Sequence, residues 1–380
     1  MYNGKIFYNG KLYVCRKTED NKSINSAKLD ADYKITEIIE MTNEDFQIIK
    51  KEISKDTSNI FKNKKLNEIA KINPLIAHVD IFVNYLDKIL DEIPYECRGT
   101  FYKNLETLDI KIVKNLKINS KNFSAAADYE IKTNTIRISK EALDNFKLHQ
   151  KNKCPNSTIN DFLARLIIHE LFHTASTIYD KETKQTKAGV IAKRNDLLIN
   201  SALNEGITEV LTNKVLDSDN TKLDNIFKYK EFTRLVNQLI ILVGYDNVIS
   251  SYFLNNGTES IKDGLYFINN DYEAVDKSIT LFGLVDSNNY DNPIDMDYIV
   301  RFQYCLLLFF EMKLEILKKY NNFDEIKDIM DCMIENILFI TSKNRKVNKS
   351  IETIQLQALT KYNEIKNKYY YLKEPYQRKR

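Results

Sequence analysis

The chain has 380 residues, of which 43% are hydrophobic and 29% charged, a composition that is ordinary for a globular protein and sufficient for two or three compact units. Its 56 basic and 53 acidic side chains leave a formal charge of +3, which is too small by itself to indicate a nucleic-acid or membrane partner. The low counts of glycine (9) and proline (5) favour long helices over tightly turned β structure.

Two hairpins are predicted in the first 150 residues. KIFYNGKLYVCR consists of two β-rich runs on either side of an Asn-Gly pair, which is a strong short-range hairpin signal. YKITEIIEM and LDIKIVK are candidates for further strands. DYEIKTNTIRIS, residues 128–139, predicts the second hairpin, with its turn near Lys132–Asn134.

The pattern becomes helical after Pro155. STINDFLARLIIHELFHTASTIYD has apolar residues at helical spacing, with Ser157 or Thr158 as the expected N-cap. From about residue 196 onward almost every stretch has helical periodicity. The expected fold class is therefore α+β. Its expected parts are a small N-terminal β-sheet and helix subdomain at 1–155, a core of central helices at 156–216 and a mainly helical C-terminal subdomain at 217–380.

Two of the four histidines lie in HELFH, residues 169–173. On a helix, residues four apart lie one turn apart on the same side, so His169 and His173 can reach one ion. Zinc takes imidazole nitrogen at ~2.0–2.1 Å, which this spacing accommodates. Glu170 lies ~100° further round and is better placed as a general base for metal-activated water. Chance alone would give about 0.006 such motifs at this composition, so HELFH indicates a site for one zinc ion.

A catalytic zinc needs a third protein ligand and a fourth position open to water. The candidate segment is SALNEGITEVLTNKVL, residues 201–216, whose apolar positions have helical spacing. Glu205 and Glu209 are four apart and share one side of that helix. Spacing cannot decide which of them is the ligand, and a solvated acidic face is the alternative. Gly206 indicates that this helix closely approaches another.

HELFH, followed 32 residues later by the Glu of LNEGITE, resembles the gluzincin group of zinc metallopeptidases over roughly residues 125–216. The LNEG segment is similar to the one that supplies the third ligand in aminopeptidase-N-like enzymes. The resemblance implies Glu170 as the general base, and it implies that Glu209 orients a ligand histidine through its second ring N–H. The zinc ligands that it implies are His169, His173 and Glu205.

The resemblance also concerns substrate binding. Gluzincins usually place a β-sheet before the HExxH helix, and an edge strand of that sheet pairs with the substrate backbone. NTIRIS is in the right place, although an ordinary hairpin strand is the alternative. The implied substrate edge consists of Thr135, Ile136, Arg137 and Ile138. The chain departs from the family in lacking a GxMEN-like exopeptidase stretch, which argues against an aminopeptidase.

The family's transition-state stabiliser, a Tyr or His, has no clear match in the chain. Three tyrosines that follow the third-ligand helix are candidates, although in a chain with 23 tyrosines each one taken singly is more often a core or surface residue. They are Tyr229, Tyr245 and Tyr252.

These observations predict a zinc-dependent metallopeptidase, an endopeptidase that hydrolyses peptide bonds of a peptide or protein substrate with metal-activated water. Residues 156–216 would form its zinc-binding catalytic core. The alternative is a non-catalytic, zinc-stabilised module whose helical C-terminal half binds a protein partner. Structural zinc sites usually close all four positions with protein ligands and favour cysteine, and no fourth ligand is evident here.

The expected location is the cytoplasm. The five cysteines lie far apart and form no CxxC pair, so neither a disulfide framework nor a cysteine-type zinc site is indicated. The N-terminal residues do not have the pattern of a secretory signal, although export by a signal-independent route stays open. The most apolar runs, LVNQLIILVG and CLLLFFEM, are shorter than the ~20 residues of a membrane span. No membrane or nucleic-acid partner is expected.

Overall fold

A computed structural model of the chain describes it in separate stretches, and for the four N-terminal strands it describes backbone pairing only. The described residues are 2–8, 11–17, 23–29, 35–42, 79–118, 123–153, 158–180, 185–194, 197–216, 229–254, 256–287, 293–320, 323–342 and 351–364.

The first predicted hairpin and the strand YKITEIIEM belong to one four-stranded antiparallel sheet. Its strands, in spatial order, are β1 (Tyr2–Tyr8), β2 (Lys11–Lys17), β3 (Ser23–Leu29) and β4 (Ile35–Thr42). Tyr8 pairs with Lys11 at the end of the β1–β2 ladder, so the hairpin prediction is confirmed.

Two helices lead into a second sheet. They are α1 (Val79–Glu92) and α2 (Tyr95–Thr107). Pro94 separates them, because proline has no N–H with which to continue a helix. The strands that follow are β5 (Asp109–Val113), the paired β6 (Leu116–Ile118) and β7 (Phe123–Ala125), β8 (Ala127–Glu130) and β9 (Thr135–Ser139).

β9, which was expected to be a substrate edge, is the central strand of a three-stranded sheet in the order β5-β9-β8. It forms the predicted second hairpin with β8 and pairs in parallel with β5 on its other side. The edge-strand prediction is therefore wrong, because both ladders use the backbone of Thr135, Ile136, Arg137 and Ile138. Burial agrees with this position, since Thr135 and Ser139 are only 3% and 1% exposed.

The HExxH segment forms α4 (Ile159–Ala175), which follows α3 (Lys140–Lys153). Thr158 is its N-cap: Thr158 Oγ1 accepts the Asp161 N–H at 3.1 Å, and Asp161 Oδ2 accepts the Thr158 N–H at 2.6 Å. This capping box satisfies N–H groups that the first turn would leave open. Every residue from Phe162 to Ala175 is buried, so α4 is a core helix that carries its polar side chains into the interior.

Two small strand pairs connect α4 to the next helix. They are β10 (Thr177–Asp180) with β11 (Gln185–Ala188), and β12 (Ala192–Arg194) with β13 (Leu197–Ile199). The segment SALNEGITEVLTNKV then forms α5 (Ser201–Val215). The helix predicted for the third-ligand segment is therefore confirmed.

The rest of the chain is helical in the part that is described. Its helices are α6 (Lys230–Val243), α7 (Tyr245–Phe253), α8 (Glu259–Asn269), α9 (Tyr272–Gly283), α10 (Pro293–Tyr320), α11 (Phe323–Thr341) and a helical stretch at 351–364. Phe282 joins three of them, since its ring lies 6.3 Å from that of Phe232 and 4.7 Å from that of Phe302. Within the described ranges, no helix is both long and apolar enough to cross a membrane.

The fold class is α+β, as expected. The chain divides into two compact units. One consists of Met1–Ile178 with Thr212–Asn225, and the other of Tyr179–Leu211 with Ile226–Arg380. The division into three parts at residues 155 and 216 stays a prediction.

Candidate metal centre

The two histidines of α4 point their rings toward one another. Nε2 of His169 lies 3.1 Å from Nε2 of His173, and the ring centroids are 4.9 Å apart at an angle of 74°. The side chains are almost out of contact with bulk water, with 7% and 9% of their surface exposed. One helical turn therefore brings two imidazole nitrogens to a single buried point.

Helix α5 supplies a carboxylate to the same point. Ligand atoms of His169, His173 and Glu205 all lie within 4.8 Å of one another. Between Ser201 and Thr212, Glu205 is the one residue that is not buried. A partly exposed glutamate in an otherwise buried segment is consistent with a metal position that keeps access to solvent.

The donor set and its spacing fit a zinc ion. Two nitrogens bound to one tetrahedral zinc at ~2.0–2.1 Å lie ~3.3 Å apart, close to the 3.1 Å observed. The three ligand atoms lie at most 4.8 Å apart. Bringing the most distant pair to ~3.3 Å requires a movement of at most ~1.5 Å, which a rotation of the glutamate side chain can supply. Two histidines and a glutamate are also a known catalytic zinc ligand set. At 3.1 Å one neutral ring can alternatively donate an Nε2–H to the other.

Glu170 and Glu209 lie close in sequence to these candidate ligands and are both buried, with 5% and 3% exposed. Glu170 directly follows His169 on α4, and Glu209 lies one turn after Glu205 on α5. Their assigned roles, as general base and as the residue that orients a histidine, stay predictions.

The last turn of α4, which carries His173, is held by several donors. Thr177 Oγ1 and Ser176 Oγ donate to the His173 carbonyl at 2.8 and 3.2 Å. Asn104 Nδ2 donates to the carbonyls of Thr174 and Thr177 at 2.8 and 2.7 Å. The carbonyls of the last helical turn lack the N–H donors that a following turn would supply. These side-chain hydrogen bonds take their place and fix the backbone at His173.

Tyr129 of β8 connects the three-stranded sheet to this helix end. Its hydroxyl donates to Asn134 Oδ1 at 2.7 Å, and Asn134 Nδ2 donates to the Asn104 carbonyl at 2.6 Å. Burial raises the pKa of Tyr129 to about 12, although hydrogen bonds with Thr177 and Thr174 act in the opposite direction. The folded protein therefore favours the protonated, neutral form of the Tyr129 phenol.

Arg137, one of the expected substrate-edge residues, is part of an ion-pair cluster on the sheet. Its guanidinium contacts Asp128 in a bidentate pair, at 2.8 and 2.6 Å, and Glu130 at 3.2 Å. The hydrogen bond to Asp128 raises the pKa of Arg137 above its usual value. These partners occupy its side chain in addition to the ladder bonds of its backbone.

The three candidate stabilisers have different surroundings. Tyr252 is fully buried, and its hydroxyl lies 2.8 Å from Thr208 Oγ1 of α5. Tyr229 precedes α6, is half-buried and packs on Phe232 with centroids 6.0 Å apart. Tyr245 begins α7 and is also half-buried. The role of any of these tyrosines in stabilising an oxyanion stays a prediction.

The sequence alone does not identify three asparagines that hold the end of α4 and the start of α5, namely Asn104, Asn200 and Asn204. Asn104 lies 65 residues before His169 in the chain, so local spacing contains no signal for its role. Asn200 and Asn204 are four apart, and Asn204 immediately precedes Glu205. That spacing would place them about one turn apart at the start of the predicted helix.

Comparison with known proteins does not assign the chain to a family. No family model, no curated protein and no solved structure matches it. The resemblance to gluzincins therefore stays a prediction that rests on the residues of HELFH and LNEGITE.

Proposed function

We propose that the protein is a zinc-dependent metallopeptidase, an endopeptidase that hydrolyses peptide bonds in a peptide or protein substrate. The observation that supports this most directly is the meeting of three ligand atoms, two from the HExxH helix and one from the NEGxxE helix, within 4.8 Å. A gluzincin-like arrangement of the catalytic part belongs to the same proposal.

In this proposal His169, His173 and Glu205 hold one zinc ion. When bound, the ion supplies Lewis acidity, which lowers the pKa of water to ~7 and polarises the scissile carbonyl. Glu170 accepts the proton of the attacking water and delivers it to the leaving amine. Glu209 fixes the tautomer of a ligand histidine through that ring's second N–H.

The arrangement favours catalysis over a purely structural zinc site. A structural site closes all four positions with protein ligands, whereas the cluster found among the described residues contains three. A structural site also has no use for an acidic residue between the two histidines. HELFH nevertheless contains Glu170, and this residue is buried next to His169 in the chain.

Metal analysis combined with cleavage mapping tests the proposal. Purified protein should contain one zinc per chain, and mass spectrometry of a peptide library should detect cuts at internal peptide bonds that cease with chelator and return with zinc. Zinc without any cleavage would support the structural alternative. A protein that takes up no zinc would overturn both.

A further inference from the structure

Asn200, which directly precedes α5, and Asn204, which lies within it, clamp a single residue of the connector that joins α4 to α5. Asn204 Oδ1 accepts the Val190 N–H at 3.1 Å, and Asn200 Nδ2 donates to the Val190 carbonyl at 3.0 Å. All three residues are buried, with Asn204 and Val190 fully so. Both backbone groups of Val190 are thus bound by side chains of two residues that lie four apart in the chain.

The connector approaches α5 more closely than an ordinary residue allows. Gly189 has φ +56°, and a Cβ atom there would lie 2.0 Å from Asn204 Oδ1 and 2.9 Å from Cε2 of Tyr252. Glycine is therefore required both by the left-handed backbone and by the space. The contact between Val190 and Asn204 depends on this close approach.

Asn200 is itself anchored on α9. Its N–H donates to the Gly283 carbonyl at 2.7 Å, and its φ of +65° is one that asparagine tolerates better than most residues. Ser201, next in the chain, donates from Oγ to the Val285 carbonyl at 3.2 Å. The start of α5 is consequently fixed at its backbone as well as through the clamp.

The other sides of α5 are also held. Thr208 Oγ1 donates its one proton to the Asn204 carbonyl at 2.9 Å, so Tyr252 must be the donor in the 2.8 Å bond between the two hydroxyls. A Cβ on Gly206 would meet the Phe232 carbonyl oxygen at 2.8 Å. Rotation of α5 is therefore limited on several sides, while Glu205 keeps partial exposure.

We propose that Asn204 is a positioning residue for the third metal ligand and that, through its bond to Val190, it sets where the Glu205 carboxylate lies. The inference rests on the proposed metal centre. A helix with its side chains has a radius of ~5–6 Å, so a 10° rotation displaces a side-chain atom by ~1 Å. Metal–ligand distances hold within ~0.2 Å, and losing the clamp should therefore weaken the site.

The test measures zinc affinity of the full chain by competition with a chromophoric chelator. Asn204→Ala should bind zinc 10–100-fold more weakly, the range typical for residues that orient metal ligands. Asn200→Gly suits the positive φ and removes only the second bond of the clamp, so it should give a smaller loss. Asn336→Ala is the matched control, because Asn336 is an equally buried asparagine of the same compact unit. Its affinity should stay within about 2-fold of the wild type.

A double-variant cycle separates positioning from general destabilisation. If Asn204 acts through Glu205, adding Asn204→Ala to Glu205→Ala should cause little further loss of affinity. The visible spectrum of the cobalt-loaded protein should change in Asn204→Ala and stay unchanged in Asn336→Ala. Wild-type affinity in Asn204→Ala, or a full additional loss in the Glu205→Ala background, would overturn the inference and leave the metal centre intact. Wild-type protein that binds no zinc would overturn both the inference and the proposed metal centre. Circular dichroism identifies a variant that does not fold. If Asn204→Ala does not fold, the zinc affinity of Asn200→Gly decides: a loss supports the inference, and wild-type affinity overturns it.

Discussion

Nε2 of His169 lies 3.1 Å from Nε2 of His173 on successive turns of a buried helix. In the proposed metal centre both nitrogens bind one ion, so removing either should lower zinc affinity by more than ~100-fold, beyond the loss expected for a residue that only orients a ligand. We expect His173→Ala to lose its zinc on dialysis. His149→Ala, which changes an exposed histidine on α3, is the matched control and should retain one zinc per chain. Equal zinc content in the two variants would contradict the assignment.

Substitution of Glu170 should separate zinc binding from catalytic turnover. Glu170→Gln keeps the size of the side chain and removes its ability to take a proton, so we expect zinc content to be unchanged and kcat to fall by ~10²–10⁴-fold. Peptide cleavage and metal content should be measured on the same preparation. Glu141→Gln, an exposed position at the start of α3, controls for loss of one charge. Full activity in Glu170→Gln would show that another group acts as the base.

Glu205 and Glu209 form a natural pair for comparison, since both are glutamates on α5 one turn apart. Glu205→Gln should weaken zinc binding more than Glu209→Gln, for which a 10–100-fold loss is expected from its proposed contact with a ligand histidine. Zinc competition titrations on both variants decide the order. The reverse order would make Glu209 the ligand.

Much of the candidate site follows from local sequence. The i, i+4 spacing of the histidines and the capping residue Thr158 are short-range features, and the helix forms where they predict it. The approach of Glu205 to the histidines is a long-range contact. It is found in the structure, although spacing on α5 could not separate Glu205 from Glu209.

The position of β9 in its sheet could not be predicted from the sequence pattern. TIRIS alternates as a half-buried strand would, yet Thr135 and Ser139 are buried together with the isoleucines. Its parallel partner β5 begins at Asp109, 26 residues earlier in the chain, and an alternating pattern contains no information about which strands pair. The clamp on Val190 escapes prediction for a related reason, because it joins side chains of α5 to backbone groups of a separate connector.

Gly206 provides a test of helix packing. In an exposed helix, alanine is more stable than glycine by ~1 kcal/mol. Here the added Cβ would lie 2.8 Å from both the Phe232 carbonyl oxygen and Val236 Cγ2. We therefore expect Gly206→Ala to lower the free energy of unfolding by ~1–3 kcal/mol, the cost of overpacking a core. Urea denaturation measures this change, and a gain in stability would show that α6 can move away from α5.

The titration of Tyr129 should make the free energy of unfolding depend on pH in the alkaline range. Burial raises its pKa to about 12, from 10.0 in the exposed group, so above pH ~10 the unfolded chain loses the phenolic proton while the folded chain keeps it. The unfolded state then binds fewer protons, and stability falls as the pH rises from ~10 toward ~12, having been fully present below ~10. Tyr129→Phe removes this titration but leaves the other 22 tyrosines. Urea unfolding across this range should give a shallower decline for Tyr129→Phe than for the wild type, and parallel declines would mean that the phenol is equally ionisable in both states.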